Sequence, residues 1–219
     1  MGQISFFTNE QKIILDQVKK NNFLRSNFYF TGRTALSYFY LKHRYSEDFD
    51  FFSLKKFDNQ ILISIVKKWA DELDFTYQTR FEEVINIFNF NFKNGQTLKI
   101  DFGFYPYRRI EKGIIDDRIE IDSQIDIAVN KLLSINQRNN IKDFVDLYFL
   151  LKKYSIYDLI EELKVKFRIK TDPWLLASDF VKIDQFETLP RMIIPITLDE
   201  LKHFFREKAK ELGTKAVEK

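Results

Sequence analysis

The chain has 219 residues, 45% of them hydrophobic and 31% charged, with a net charge of +3, the profile of an ordinary globular protein. It has no Cys and only two His, which excludes thiol nucleophiles, disulfides and any cysteine or multi-histidine metal site, so a bound metal would be held by oxygen as Mg²⁺ or Mn²⁺. The mild basicity is compatible with a polyanionic partner such as a nucleotide or RNA, and equally with a solvated surface of mixed charge.

Met1-Gly2-Gln3-Ile4 lacks the basic-then-apolar pattern of a signal peptide. No apolar run approaches the roughly 20 residues that span a bilayer. The expectation is a cytoplasmic protein with no membrane partner. Thr8-Asn9-Glu10-Gln11 reads as a capping box opening a helix, with Ile13, Ile14 and Val18 on one face. Asn27 to Phe30 reads as a short buried strand. It runs into the turn Thr31-Gly32-Arg33-Thr34 and then a helical stretch, Ala35 to Leu41. A second strand is predicted around Phe49 to Phe52, and a helix from about Asn59 to Leu73 with Asp58 as its cap. Asn86 to Phe92 and Thr97 to Phe102 alternate in polarity on either side of Asn94-Gly95, the signature of a hairpin. From Ser123, read as an N-cap with Asp126 three residues on, the pattern is helical. Further helices are expected over about Ile141 to Lys153, Ser155 to Phe167 and Leu198 to Leu212. Strands before residue 121 and helices after it predict an α+β module over 1–121, followed by a helical C-terminal part over 122–219 packed on it or continuous with it. The 24 Phe and 10 Tyr supply the core. Tyr105 and Tyr107, just beyond Asp101, are the aromatic residues to watch for another role.

Three carboxylates stand apart from this pattern. Asp48 and Asp50 are two apart on the predicted strand, so both face one side while Phe49 faces the other. Two acids side by side repel, and a divalent cation between them relieves the cost. Asp101 lies on the hairpin's return strand between Ile100 and Phe102, where an acid needs a partner or a task. Nucleotidyl transfer needs such a set: two carboxylates for the metal that grips a triphosphate, and a third for the metal that activates the attacking hydroxyl. The plainer alternative makes them loop, cap and edge residues. Gly32-Arg33-Thr34 tilts the balance, because a glycine turn between a strand and a helix presents N–H groups, and here a Thr34 hydroxyl, to phosphate.

Thr31-Gly32-Arg33-Thr34-Ala35-Leu36 followed by His43-Arg44-Tyr45-Ser46-Glu47-Asp48-Phe49-Asp50-Phe51-Phe52 resembles the signature of the AbiEii/AbiGii-type toxin nucleotidyltransferases, GGTAL and then HR-x-S-x-D-x-DFF. The family's later block is similar to Ile127 to Leu133, with Lys131, and to Lys142-Asp143-Phe144-Val145-Asp146-Leu147-Tyr148. Pro190 to Ile193 and Phe204-Phe205 resemble the tail of its short members. The resemblance implies a polymerase-β-like nucleotidyltransferase core with a mixed sheet and a helical C-terminal part. It implies an enzyme that uses NTP with divalent metal, Mg²⁺ or Mn²⁺, as the toxin of a bacterial toxin–antitoxin or phage-defence system with a cognate antitoxin. The acceptor it implies is RNA, with tRNA first. On this resemblance Asp48, Asp50 and Asp101 are metal ligands and catalytic residues. Lys131 reaches the triphosphate and Asp143 supports the site. Gly32, Arg33, Thr34, Arg44 and Ser46 belong to substrate binding.

Other assignments stand beside these. Lys131 as a solvent-facing residue, and Asp143 and Asp146 as surface acids paired with Lys142 or Arg138, are the plainer expectations. Arg44 either binds phosphate or braces the turn, and His43 is structural. Arg33 stands where the family has its second glycine. Either the turn survives and Arg33 becomes a triphosphate ligand, or the site is weakened. A protein side chain is the alternative acceptor. An inactive nucleotide-binding module is the alternative class, and the intact Asp48, Asp50 and Asp101 argue against it.

Overall fold

The computed structural model describes residues 6–217, with side chains to residue 214. The stretch Met1 to Ile4, inspected above for a leader, lies outside the described residues. The chain divides into two compact units. One runs to Tyr40 and resumes over Ser46–Arg108 and Lys112–Ser123; the other takes Leu41–Tyr45, Arg109–Glu111 and the chain from Gln124.

The first unit opens with α1 (Asn9–Lys20). The capping box forms: Gln11 N–H donates to Thr8 Oγ1 at 3.2 Å, and Thr8 N–H to Gln11 Oε1 at 2.9 Å. A one-turn helix α2 (Asn22–Asn27) leads to β1 (Tyr29–Thr31). After it the chain is helical only over α3 (Gly32–Ala35); Leu36–Leu41 widens into a π-helix, where a regular helix from Ala35 to Leu41 was expected. Then come β2 (Phe49–Ser53), α4 (Asn59–Leu73), β3 (Phe75–Glu82), β4 (Ile85–Phe92), β5 (Thr97–Phe104), β6 (Ile115–Asp116) and β7 (Ile119–Ile121). Asp58 caps α4 by accepting from Gln60 N–H at 2.8 Å. Its Leu62, Val66 and Trp69 form one buried stripe.

The seven strands form one mixed sheet in the order β3-β4-β5-β2-β1-β7-β6. β4 and β5 are the antiparallel hairpin expected at Asn94-Gly95, and Gly95 takes the positive φ (+82°) that the turn requires. β2 is parallel to β5 and antiparallel to β1. The two-residue period separates the faces. Phe30, Phe49, Phe51, Phe88, Phe90 and Phe102 are fully buried on one side, with Phe30–Phe51 and Phe51–Phe102 stacked at 5.0 and 5.3 Å. Each such ring contributes about 1.5–3 kcal/mol by leaving water. Thr31, Asp50 and Asp101 fall on the other side. β3 escaped the sequence reading because it is an outer strand whose first residue alone is buried, so it shows no clean alternation.

The second unit is helical: α5 (Gln124–Gln137), α6 (Ile141–Leu150), α7 (Ile156–Phe167), α8 (Pro173–Val181) and α9 (Leu198–Val217). Ser155 caps α7 through Tyr157 N–H at 3.2 Å. α8 was not anticipated, although Asp172 followed by Pro173 is a cap and first-turn pair. Asp126 lies in the first turn of α5. Its buried carboxylate accepts the backbone N–H groups of Ile110 (3.0 Å) and Glu111 (3.1 Å) and pairs with Lys166 at 2.6 Å. No helix among the described residues is long and apolar enough to cross a membrane.

Candidate active site

β1 delivers the chain to Gly32, which has φ +73°. Its lack of a side chain matters twice. The left-handed backbone disfavours any other residue, and a Cβ built there would lie 2.1 Å from Asp50 Oδ2. The glycine turn therefore seats the Asp50 carboxylate against bare backbone. The positive φ falls on Gly32 and not on Arg33, whose backbone is helical. The turn survives the arginine because the glycine doing the conformational work is the one retained.

Parallel pairing of β2 with β5 sets Asp50 opposite Asp101, and antiparallel pairing with β1 sets Asp50 opposite Thr31. The two carboxylates, 51 positions apart in sequence, are thus neighbours on one face. Asp48 lies one residue before β2 rather than within it. It is the more exposed of the acids in ion pairs here, with a side chain 32% accessible, and Arg33 Nη2 approaches its Oδ2 at 3.3 Å.

Asp101 is half-buried. Lys99 Nζ lies 2.5 Å from its Oδ2, while the buried Oδ1 has no hydrogen-bond partner. Burial pushes its pKa above the ordinary carboxylate value; Lys99 pulls the other way, and the charge on Asp48 pushes it up again. A buried carboxylate oxygen without a partner, beside a second carboxylate in register, with oxygen as the only donor type, fits a hard divalent cation. Among the described residues no three acidic or imidazole side chains are already gathered at cation-binding distance. Arg33 and Lys99 instead neutralise Asp48 and Asp101 one each.

Thr34 and Ser46 hold the approach to Asp48. The Thr34 hydroxyl hydrogen-bonds to the Asp48 backbone carbonyl and, at 2.8 Å, to Ser46 Oγ. Gln11 Nε2 donates to the Ser46 and Glu47 carbonyls at 3.3 and 2.9 Å. Thr34 is buried, so its hydroxyl acts on the loop.

Arg44, Lys131 and Asp143 occupy the second unit in a buried network of their own. The Arg44 guanidinium grips Asp146 with two prongs, Nε to Oδ1 at 2.7 Å and Nη2 to Oδ2 at 2.8 Å, and both side chains are fully buried. Lys131 Nζ bonds Asp143 Oδ1 at 2.7 Å and Asp146 Oδ2 at 2.9 Å. Arg138 closes the set on Asp143 at 2.7 Å. Burial works against both acids. Arg44 and Lys131 nevertheless hold Asp146 well below the usual range, and Lys131 and Arg138 lower Asp143. His43 Nε2 lies 2.8 Å from Asp146 Oδ1, and burial lowers its pKa, so the contact is a hydrogen bond from a neutral imidazole. Lys131 is 4% exposed, and Asp143 and Asp146 are not exposed at all, which removes the solvent-facing alternatives for all three. Arg44 also donates to the Tyr45 carbonyl at 3.0 Å.

Sequence reading missed Lys99, whose position two residues before Asp101 on a strand was the available signal. It also missed Asp122, which accepts from Thr31 Oγ1 at 2.7 Å across 91 positions and left no local signal.

A family model described as the nucleotidyl transferase AbiEii toxin of type IV toxin–antitoxin systems matches residues 13–218. An uncharacterized protein of Aquifex aeolicus is 30% identical over 211 residues, covering 92% of this chain and 95% of that one. Among solved structures, a putative nucleotidyltransferase of Helicobacter pylori is similar with TM-score 0.60 and 23% identity, over 100% of this chain and 98% of that chain. JHP933 of the same species gives TM-score 0.59 and 24% identity, over 96% and 93%. The nucleotidyltransferase toxin MenT4 of Mycobacterium tuberculosis gives TM-score 0.50 and 12% identity, over 85% and 75%. At these identities the solved structures establish the fold alone, a nucleotidyltransferase-like α+β arrangement.

Proposed function

The chain belongs to the AbiEii family of nucleotidyl transferase toxins of type IV toxin–antitoxin systems, and from that premise we propose that it transfers a nucleoside monophosphate from NTP to a hydroxyl of RNA, tRNA first, using the Asp48, Asp50 and Asp101 face. As a nucleotidyltransferase toxin it takes NTP as substrate and answers to an antitoxin. Phage defence is the setting we assign to it.

The observation that carries this reading is the register of Asp50 against Asp101 beside Gly32. Asp48, Asp50 and Asp101 would hold a divalent ion, and Mg²⁺ or Mn²⁺ bound there would supply charge neutralisation at the phosphates. The rest is done by the chain's own groups. The Gly32 turn sets Asp50. Thr34, Ser46 and Gln11 set Asp48. Asp101, whose Oδ1 has no hydrogen-bond partner, orients the attacking hydroxyl and takes its proton. The hydroxyl oxygen bonds to the α-phosphorus, the bond from that phosphorus to the bridging oxygen breaks, and pyrophosphate leaves. Arg33 neutralises Asp48 when no cation is held there. Thr34, Ser46 and Arg44 act as positioning residues. Lys131 and Asp143, joined by Asp146 and Arg138, form the buried ion network of the second unit.

Transfer of label from each α-³²P NTP to total tRNA and to total protein, with Mg²⁺ or Mn²⁺, tests the proposal. Label on RNA that disappears in an Asp48→Ala/Asp50→Ala variant is the expected result. Label confined to protein moves the acceptor to a side chain. No label, from a folded chain that binds no NTP, overturns the enzymatic reading.

A further inference from the structure

The carboxylate face continues into rings that the proposed chemistry does not use. Phe52 follows Asp50 by two residues and Gly103 follows Asp101 by two, and the register sets Phe52 opposite Gly103. The next row on this face therefore lies about 7 Å along the strands. A Cβ on Gly103 would come within 3.2 Å of the Phe52 ring, so the glycine lets that ring lie across β5. Phe52 stacks on Tyr105 with centroids 4.7 Å apart and planes at 29°. Tyr105 meets Tyr107 edge-on at 4.8 Å and 62°. The Tyr105 N–H donates to the Ser53 carbonyl at 2.7 Å, which extends the β2–β5 pairing and keeps Tyr105 on the side of Asp101 and Gly103.

These rings are unlike the rest of the chain's aromatic core. Six Phe of the opposite face are fully buried, whereas Phe52 and Tyr105 are half-buried and Tyr107 is 39% exposed. Arg108, also exposed, comes next. Half-open flat rings one strand-row from a carboxylate pair, followed by a cation, match a nucleobase carried on a phosphate chain, since every base has a face to stack.

We propose that Tyr105 and Tyr107, backed by Phe52, form a nucleobase-stacking subsite for the base of the bound NTP or of the terminal nucleotide of the RNA acceptor. The proposal rests on the nucleotidyltransferase reading and adds the groups that hold the base. Stacking of this kind changes affinity by roughly tenfold or more.

The test compares ligands with and without a base on the full chain in Mn²⁺. One arm sets ATP, CTP, GTP and UTP against ribose 5-triphosphate; the other sets a short single-stranded RNA against the same RNA with an abasic 3′ nucleotide. The wild type is expected to favour the base-bearing ligand by roughly tenfold in one arm, which identifies the source of the base. Tyr105→Ala and Tyr107→Ala remove that preference, and Tyr105→Phe and Tyr107→Phe keep it. Tyr107 is exposed, so its variant reads the subsite even where Tyr105→Ala fails to fold. A wild type that binds ribose 5-triphosphate through Asp48 and Asp50 but shows no preference in either arm overturns the subsite and leaves the nucleotidyltransferase reading intact. Alanine variants that retain the preference also overturn it. Absence of all triphosphate binding overturns both.

Discussion

Gly32 and Arg33 show how differently two adjacent residues of one turn are constrained. Gly32 is fixed by a positive φ and by the Asp50 carboxylate lying where its Cβ would be. Gly32→Ala is expected to cost about 1–3 kcal/mol from the backbone conformation alone, and more from displacing Asp50. A lowered denaturant midpoint together with lost nucleotidyl transfer checks it. Arg33 carries no such constraint, since its backbone is helical and its guanidinium lies on Asp48 at 3.3 Å. Arg33→Gly is therefore expected to retain or raise NTP binding in the presence of Mn²⁺, measured by equilibrium dialysis. A large fall in affinity would make Arg33 a working triphosphate ligand instead.

At the scale of elements, α6 is tied to α5 and to the Leu41–Tyr45 segment by charge rather than by apolar packing alone. Asp146 is fully buried with Arg44, Lys131 and His43 on it. Removing one partner from such a set leaves a buried charge uncompensated, so Asp146→Asn is expected to cost about 3–5 kcal/mol. The pH dependence follows from the sign of the shifts. Asp143 and Asp146 are held below their ordinary value in the folded chain. Their contribution is thus fully present above the unfolded carboxylate pKa of about 3.9, and is lost as pH falls below it through the depressed folded values. Acid unfolding monitored by circular dichroism should show a shallower pH dependence in Asp146→Asn than in the wild type. An unchanged slope would mean that other carboxylates govern the acid transition.

For the whole molecule, the proposed cation site predicts linkage between cation binding and stability. An ion that binds the folded chain and not the unfolded one stabilises it by about 2.7 kcal/mol at a hundred times its dissociation constant. Mn²⁺ is expected to raise the thermal midpoint of the wild type and to leave that of Asp50→Asn unmoved. Asp101→Asn should lose the Mn²⁺ effect while gaining stability in metal-free buffer, because it removes a buried charge pushed above its ordinary pKa by burial and by Asp48. Equal Mn²⁺ shifts in all three proteins would place cation binding elsewhere.

Local signals in the sequence determined the elements whose causes are local. The Thr8 and Gln11 box, the Asp58 cap and the Asn94-Gly95 hairpin are each fixed within a few residues, and each formed where it was read. The two-residue period likewise put Asp50 on the face opposite Phe49 and Phe51. Only the tertiary structure decided what depends on pairing across long stretches of chain. The parallel register that sets Asp50 beside Asp101, the burial of Asp146 under Arg44, and the outer strand β3 have no periodicity or spacing that announces them. A β-ladder is specified by its partner strand, and a buried ion pair by the geometry that excludes water, and neither is written in the neighbouring residues.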